Sequence, residues 1–96
     1  MSDSMKPIVV QEIREIAKKN DIDQVILFGS RARGDYHRTS DIDLAVKGRD
    51  VTGFLFDVEE TTSTLLEFDI INLEDELEDT FRKEIMREGV TLYEKI

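Results

Sequence analysis

The chain has 96 residues, of which 40% are apolar, and it carries a formal net charge of −9. This length suits one domain with a modest core, so a single domain over residues 1–96 is expected. The absence of cysteine excludes a disulfide framework and a thiolate metal site. The acidic charge argues against direct binding of nucleic acid, which requires basic surface to neutralise phosphates. No stretch resembles a signal peptide or a membrane span, which predicts a cytoplasmic protein with no membrane contact.

The first two predicted elements are a helix and a buried strand. Residues 7–20 repeat apolar side chains every three or four positions, with Pro7 near the start, and this pattern predicts a helix. Residues 24–28 are mostly β-branched or aromatic and end at Gly29, which predicts a strand. A polar loop with three arginines follows this strand.

Five further elements are predicted after the loop. Residues 41–47 alternate between apolar and polar side chains, as in a strand with one buried face. The remaining elements are a helix at 51–66, a strand at 68–73, a helix at 76–88 that stops at Gly89, and a strand at 90–93. Together the elements predict an α/β fold with one small sheet of about four strands and helices packed on it.

Two aspartates in the second predicted strand point to a metal site. Asp41 and Asp43 are two positions apart, so a strand would project both carboxylates from the same face. Two like charges held on a partly buried surface repel each other unless a cation compensates them. Mg²⁺ suits this role because it takes oxygen ligands and is commonly shared between carboxylates and substrate phosphates.

A third aspartate, Asp69, lies inside the next predicted strand, a position where aspartate is uncommon. If the two strands are neighbours, Asp69 joins Asp41 and Asp43 in a three-carboxylate site that can hold two metal ions. Two plainer explanations stay open. The Asp-x-Asp pair can be a solvated strand end, and Asp69 can be an edge-strand charge that discourages aggregation.

The loop between the two strands has the composition of an anion-binding segment. Gly29 allows the backbone to approach a ligand closely. The hydroxyl of Ser30 and the backbone N–H groups beyond it offer hydrogen-bond donors to an anion. Arg31 and Arg33 can add bidentate contacts to phosphate oxygens. We expect the remaining large side chains of the loop at the surface: Tyr36, His37 and Arg38.

These motifs resemble those of a known superfamily. Gly29-Ser30, ten further residues and Asp41-Ile42-Asp43 together resemble the G-S-x10-D-x-D signature of the DNA polymerase beta-like nucleotidyltransferases, and Asp69 matches their third carboxylate. The small size, the stretch FGSRARG and the ending REGVTLYEK are most similar to the minimal nucleotidyltransferase (MNT) group. The resemblance covers residues 8–93 and implies the nucleotidyltransferase fold, a small mixed sheet with helices against it.

The resemblance also implies a reaction. A nucleoside monophosphate, AMP from ATP in the MNT group, is transferred to a hydroxyl and pyrophosphate is released. Two Mg²⁺ ions would be bound, and Asp41 and Asp43 would be ligands of both. Asp69 would be a ligand of the ion that activates the acceptor hydroxyl and could take the proton of that hydroxyl. The Gly29 loop would hold the β- and γ-phosphates through its polar side chains: Ser30, Arg31 and Arg33.

The resemblance implies a partner protein as well. Many MNT proteins are paired, as antitoxins, with an RNase toxin of the HEPN family, and the antitoxin transfers AMP to a tyrosine of the toxin. We therefore expect a hetero-oligomer with a HEPN-family toxin. Larger relatives carry extra helical domains for the base and the acceptor, and 96 residues leave no room for one. Two alternatives are a binding-only antitoxin that acts by contact and the catalytic subunit of a small-molecule nucleotidyltransferase.

Overall fold

The computed structural model describes residues 5–96, which contain four helices and four strands joined by loops. In chain order they are α1 (Pro7–Lys19), β1 (Ile22–Phe28), α2 (Ser30–Arg33), β2 (Ile42–Gly48), α3 (Val51–Thr61), β3 (Phe68–Asn72), α4 (Asp79–Glu88) and β4 (Val90–Glu94). The predicted order of elements is confirmed, and the polar loop adds the single turn α2. The first four residues of the predicted 1–96 domain lie outside the described part.

The strands form one mixed sheet in the order β3-β2-β1-β4. β1 pairs antiparallel with both β2 and β4, whereas β2 and β3 are parallel. A parallel pair needs a crossover connection, and α3 provides it between β2 and β3. The predicted α/β fold with a small mixed sheet is therefore confirmed. The arrangement also makes β2 and β3 neighbours, which is the condition for bringing Asp69 beside Asp43.

The two faces of the sheet are covered unequally. α1 and α3 contribute to a large core on one face, in which Ile13, Leu44 and Phe54 are fully buried. On the opposite face, α4 contributes Ile85 to a small cluster with Ile26, Ala45 and Leu73.

No helix within residues 5–96 combines the length and apolar character that a membrane span needs.

The alternation of β2 assigns its side chains to these two faces. Its isoleucine, leucine and valine at every second position belong to the large core: Ile42, Leu44 and Val46. Asp43 and Ala45 therefore project to the face that carries α4, because neighbouring residues of a strand point to opposite sides. The sequence pattern thus puts the carboxylate of Asp43 on the thinly covered face.

The helix predicted at 51–66 is shorter than expected and ends at Thr61. The hydroxyls of Thr61 and Thr62 each donate to a carbonyl four residues earlier, both at 2.6 Å. The N–H of Ser63 donates to the carboxylate of Glu12 at 2.8 Å instead of continuing the helix. The chain can then turn towards β3.

The helix predicted at 76–88 begins later, at Asp79. The guanidinium of Arg82 donates to the carbonyls of Leu73 and Asp75, at 2.8 and 3.2 Å, and holds the turn that follows β3. Residues 74–76, which are all acidic, are therefore exposed outside the helix. The four strands lie within two residues of their predicted bounds.

Candidate active site

Gly29, at the end of β1, lies directly against Asp43 of β2. Its backbone has φ +73° and ψ −155°, a conformation that residues with a Cβ rarely adopt. A Cβ added at this position would also overlap the carboxylate of Asp43. Conformation and space therefore both require glycine here. Gly29, at the start of the polar loop, therefore contacts Asp43 where the neighbouring strands β1 and β2 meet the loop.

Asp43 and Asp69 are paired residues of the parallel strands β2 and β3. Paired residues on neighbouring strands project from the same face of a sheet, so both carboxylates lie on the face that carries α4. Asp41 is exposed and immediately precedes β2, two positions before Asp43. The structure thus places Asp43 and Asp69 side by side, with Asp41 two positions before Asp43 at the start of the same strand.

The charges of these aspartates affect one another. Burial raises the pKa of the Asp43 carboxyl above its ordinary range, and the charges of Asp69 and Asp41 raise that pKa further. The guanidinium of Arg33 acts in the opposite direction, and it is the weakest of the four influences. An excess of negative charge in a partly desolvated position is the environment in which a cation binds most favourably.

The aspartates by themselves do not form a complete metal site. Between Met5 and Ile96, no three His, Cys, Asp or Glu side chains are close enough together to surround a metal ion. Mg²⁺ usually takes only one or two carboxylates from a protein and completes its octahedron with water and substrate oxygens. An all-carboxylate set in which Asp43 and Asp69 are adjacent fits that incomplete kind of site.

The raised pKa of Asp43 leads to a prediction about stability in the absence of metal. A carboxyl whose pKa is higher in the folded state holds its proton more tightly there than in the unfolded chain. The free energy of unfolding therefore falls as pH rises from the ordinary pKa of 3.8 through the folded-state pKa, and the loss is complete above it. Asp43→Asn should remove this loss, so the variant should gain stability relative to wild type as pH rises.

Urea unfolding in EDTA from acidic to neutral pH would measure this divergence. The matched control is Asp75→Asn, in the exposed turn after β3, which should run parallel to wild type. A stability difference between wild type and Asp43→Asn that is the same at every pH would contradict the raised pKa.

Arg33 lies at the exposed end of α2, on the side of the acids. Its guanidinium donates to Asp35 at 3.3 Å and to Glu88 at 3.5 Å, and 46% of the side chain is exposed. Ion pairs at such exposure contribute little stability, so the guanidinium can exchange them for an anionic ligand at small cost. The phosphate-binding role of Arg33 stays a prediction. The pairing with Glu88 has no signal in the local sequence, because the two residues are far apart in the chain.

Arg31 is placed differently from the prediction. It is only 4% exposed, and its guanidinium donates to the carbonyls of Ser40, Arg38 and His37 at 3.0, 3.1 and 3.5 Å. The guanidinium also lies over the ring of Tyr36, 4.9 Å from its centroid. These contacts hold the side chain against the loop backbone rather than beside Arg33, and the phosphate contact expected of it stays a prediction.

The helical geometry of α2 explains why the two arginines differ. Residues two positions apart on a helix point to nearly opposite sides. One arginine can therefore face the loop interior while the other faces the acids. Applying the helical period to the stretch SRAR would have separated them. Of the other loop side chains, His37 and Arg38 are exposed as expected, and Tyr36 is half-buried against Arg31.

A cleft of about 620 Å³ lies on the other side of the loop from the acids. Its lining includes Arg31 and Ile42, and Ile42 belongs to the large core beneath α1 and α3. The aspartates project to the opposite face and do not line this cleft. The acidic site is therefore an open part of the sheet surface beside Gly29.

Comparison with known proteins agrees with this geometry. Residues 11–96 match the protein-family model described as Polymerase beta, Nucleotidyltransferase. Over 81 residues the chain is 41% identical to the Methanocaldococcus jannaschii protein named "Putative protein adenylyltransferase MJ0604". That match covers 75% of this chain and 79% of the relative.

Solved structures share the same fold. A crystal structure of a toxin–antitoxin with AMP-PNP contains a similar chain, with a TM-score of 0.71 and 20% identity over 90% of this chain and 73% of that chain. A mutant of the toxin–antitoxin MntA-HpeT gives a TM-score of 0.68 at 20% identity, with the same shares of the two chains. At this identity the similarity concerns the arrangement of helices and strands.

Proposed function

Because the chain belongs to the polymerase beta nucleotidyltransferase family, we propose that it transfers AMP from ATP to a hydroxyl of a partner protein in a reaction that requires Mg²⁺. Membership of the family makes the protein a transferase. The choice of AMP and of a protein acceptor is supported by the relative named as a protein adenylyltransferase. The observation that carries the proposal is the pairing of Asp43 with Asp69 beside the backbone of Gly29.

The three acids would share the binding of two Mg²⁺ ions. Asp43 is central because it is paired with Asp69, follows Asp41 by two positions and contacts Gly29. When bound, the ions would neutralise charge on the triphosphate and activate the attacking oxygen. Asp69 is exposed on β3, an outer strand of the sheet, where an acceptor hydroxyl can reach it. We therefore assign Asp69 to the acceptor side, as a metal ligand and as the base for its proton.

The loop after β1 would hold the triphosphate. Gly29 exposes backbone next to the Asp43 carboxylate, so a phosphate there would lie within reach of an ion bound by Asp43. Ser30 follows directly and supplies a hydroxyl donor. Arg33 would replace its contacts with Asp35 and Glu88 by contacts with phosphate oxygens. These groups would orient the triphosphate, and the acids would orient the acceptor.

The partner would be a HEPN-family toxin, with this chain as its antitoxin in a cytoplasmic hetero-oligomer. Similar chains in solved structures come from toxin–antitoxin pairs. The acids lie on an open sheet surface where an acceptor side chain carried by another protein can approach. The decisive measurement is the intact mass of a co-purified partner after incubation with ATP and Mg²⁺, which should increase by whole adenylyl groups.

We expect Mg²⁺ to strengthen ATP binding by about tenfold or more, a difference of roughly 1.4 kcal/mol. Without the ion, the carboxylates of Asp41, Asp43 and Asp69 repel the triphosphate. Calorimetric titrations with ATP, in Mg²⁺ and in EDTA, would measure the difference. Asp69→Asn should reduce the increase in ATP affinity that Mg²⁺ produces, whereas the control Asp75→Asn should show the same increase as wild type. Equal affinity for ATP with and without Mg²⁺ would contradict a metal-dependent site.

A further inference from the structure

We propose that Arg31 is a positioning residue that holds the nucleotide-binding loop and the metal-binding strand in a fixed relation to each other. This inference rests on the proposed transfer reaction at the same site. In this role Arg31 does not bind phosphate but organises the site in the ligand-free protein. The side chain starts beside the proposed phosphate site and ends at the residue before the first metal-binding acid.

Arg31 connects the two ends of the polar loop. It follows Ser30 directly in α2, and its guanidinium reaches the carbonyls of residues 37, 38 and 40. The last of these, Ser40, immediately precedes Asp41. A single side chain therefore ties the beginning of the loop, where phosphate would bind, to the residue that leads into the first metal ligand.

The segment that Arg31 contacts is itself a compact turn. The N–H of Ser40 donates to the carbonyl of His37 at 3.0 Å, and the N–H of His37 donates to the hydroxyl of Ser40 at 2.8 Å. These two bonds organise residues 37–40 internally, but they do not attach the turn to the rest of the domain. The hydrogen bonds from Arg31 supply an attachment, because α2 is continuous with β1 of the sheet.

The burial of Arg31 indicates that this attachment is rigid. A guanidinium that is 4% exposed must satisfy its donors within the protein, because an unsatisfied buried charge is strongly unfavourable. Its planar group presents several N–H donors at fixed angles, which suits three backbone carbonyls at once. The ring of Tyr36 covers one side of the guanidinium. Lysine carries the same charge but cannot reproduce this planar arrangement.

The consequence concerns the relative placement of reacting groups. If the turn at 37–40 loosens, Asp41 loses its fixed position relative to Gly29 and Ser30, whereas Asp43 stays held by the strand pairs of β2. Misplacement of catalytic groups by about 1 Å can reduce a rate by about 100-fold. Arg31 would thus affect Mg²⁺ binding and turnover without contacting either substrate.

The test compares Arg31→Lys and Arg31→Met with a matched control, Arg14→Met. Arg14 also donates to a backbone carbonyl, that of Leu92 in β4, at 2.7 Å, but it lies on α1 away from the acids. Tyr36→Leu is a second variant that removes only the aromatic cover from Arg31. If Arg31→Met does not fold, Arg31→Lys and Tyr36→Leu still decide the question.

The first measurement is amide hydrogen exchange of the free protein, without nucleotide or metal. We expect exchange across residues 37–41 to accelerate by about tenfold or more in both Arg31 variants, to a smaller extent in Tyr36→Leu, and not in Arg14→Met. The second measurement is the transfer rate as a function of Mg²⁺ concentration, well below the unfolding temperature. Arg31→Met should lower kcat by about 100-fold and raise the Mg²⁺ concentration needed for half-maximal rate.

Unchanged exchange across residues 37–41 in Arg31→Lys, with weakened ATP binding as the sole effect of the substitution, would overturn the positioning role and restore a phosphate contact. Faster exchange throughout the domain, as in a general loss of stability, would also overturn it. The exchange measurement needs no activity. If wild-type protein transferred no AMP, the proposed function would fail while the attachment of the loop by Arg31 could still be judged.

Discussion

Asp43→Asn should reduce nucleotidyl transfer by about 10²- to 10³-fold while the domain stays folded. Metal ions contribute several kcal/mol of charge stabilisation to such reactions, and each 1.36 kcal/mol corresponds to a factor of about ten in rate. Asparagine keeps the shape of the side chain beside Gly29 but removes the charge that would hold Mg²⁺. Because burial and neighbouring charges already disfavour the ionised carboxylate, the melting temperature should be unchanged or raised.

The same substitution at Asp41 and Asp69 would show whether the three acids act as a set. Initial rates at saturating ATP and Mg²⁺, with thermal unfolding of each variant, are the measurements. Each acid should be required for transfer, and Asp75→Asn should retain full activity. Unfolding of Asp69→Asn would favour the explanation that Asp69 is a structural charge of an edge strand. Wild-type rates in Asp43→Asn would refute the metal site.

A small amount of this protein should modify an excess of its partner when ATP and Mg²⁺ are present. Catalysis regenerates the enzyme after each transfer, so the number of modified partner molecules should exceed the number of enzyme molecules. The open position of Asp69 on β3 and the groups arranged around Asp43 provide the physical basis for turnover. A contact-only antitoxin would instead neutralise its partner at a one-to-one ratio and would not require ATP.

Intact-mass spectrometry of the partner, combined with an assay of its toxic activity, separates these two cases. Wild-type protein should add whole adenylyl groups and abolish the toxic activity at substoichiometric amounts. Asp43→Asn, which retains the same outer surface, should do neither at such amounts. An unmodified partner that is fully inhibited at one-to-one, and equally by Asp43→Asn, would show that contact rather than transfer neutralises it.

The placement of Asp43 and Asp69 on one face could be predicted from the sequence because it depends on local periodicity. The alternation around Asp43 fixed its face, and the strand character of residues 68–73 brought Asp69 to the same face once the two strands paired. The parallel pairing of β2 with β3 could not be predicted from the alternation. Alternation indicates which face of a strand a side chain occupies, but it does not indicate which strand is the neighbour. The crossover by α3 determines that neighbour.

Features that depend on tertiary hydrogen bonds could not be predicted in the same way. The helical period separates the two arginines of α2, but the groups they contact, loop carbonyls for one and Glu88 for the other, lie outside the stretch SRAR. The end of α3 depends on Glu12, which is distant in the chain and accepts from Ser63. Such partners are chosen by the folded arrangement, so a local sequence window contains little information about them.

The unequal covering of the sheet has a consequence for how this domain can change over evolution. Among residues 5–96, fifteen buried residues form the core that includes α1 and α3, whereas four form the cluster on the face that carries the acids. Most of the apolar area that stabilises the fold is therefore remote from the chemistry. If the proposed transfer reaction takes place at this face, substitutions around Asp69 and α4 would alter which acceptor is recognised at little cost in folding free energy. A domain of this size can thus acquire new substrates without first acquiring surplus stability.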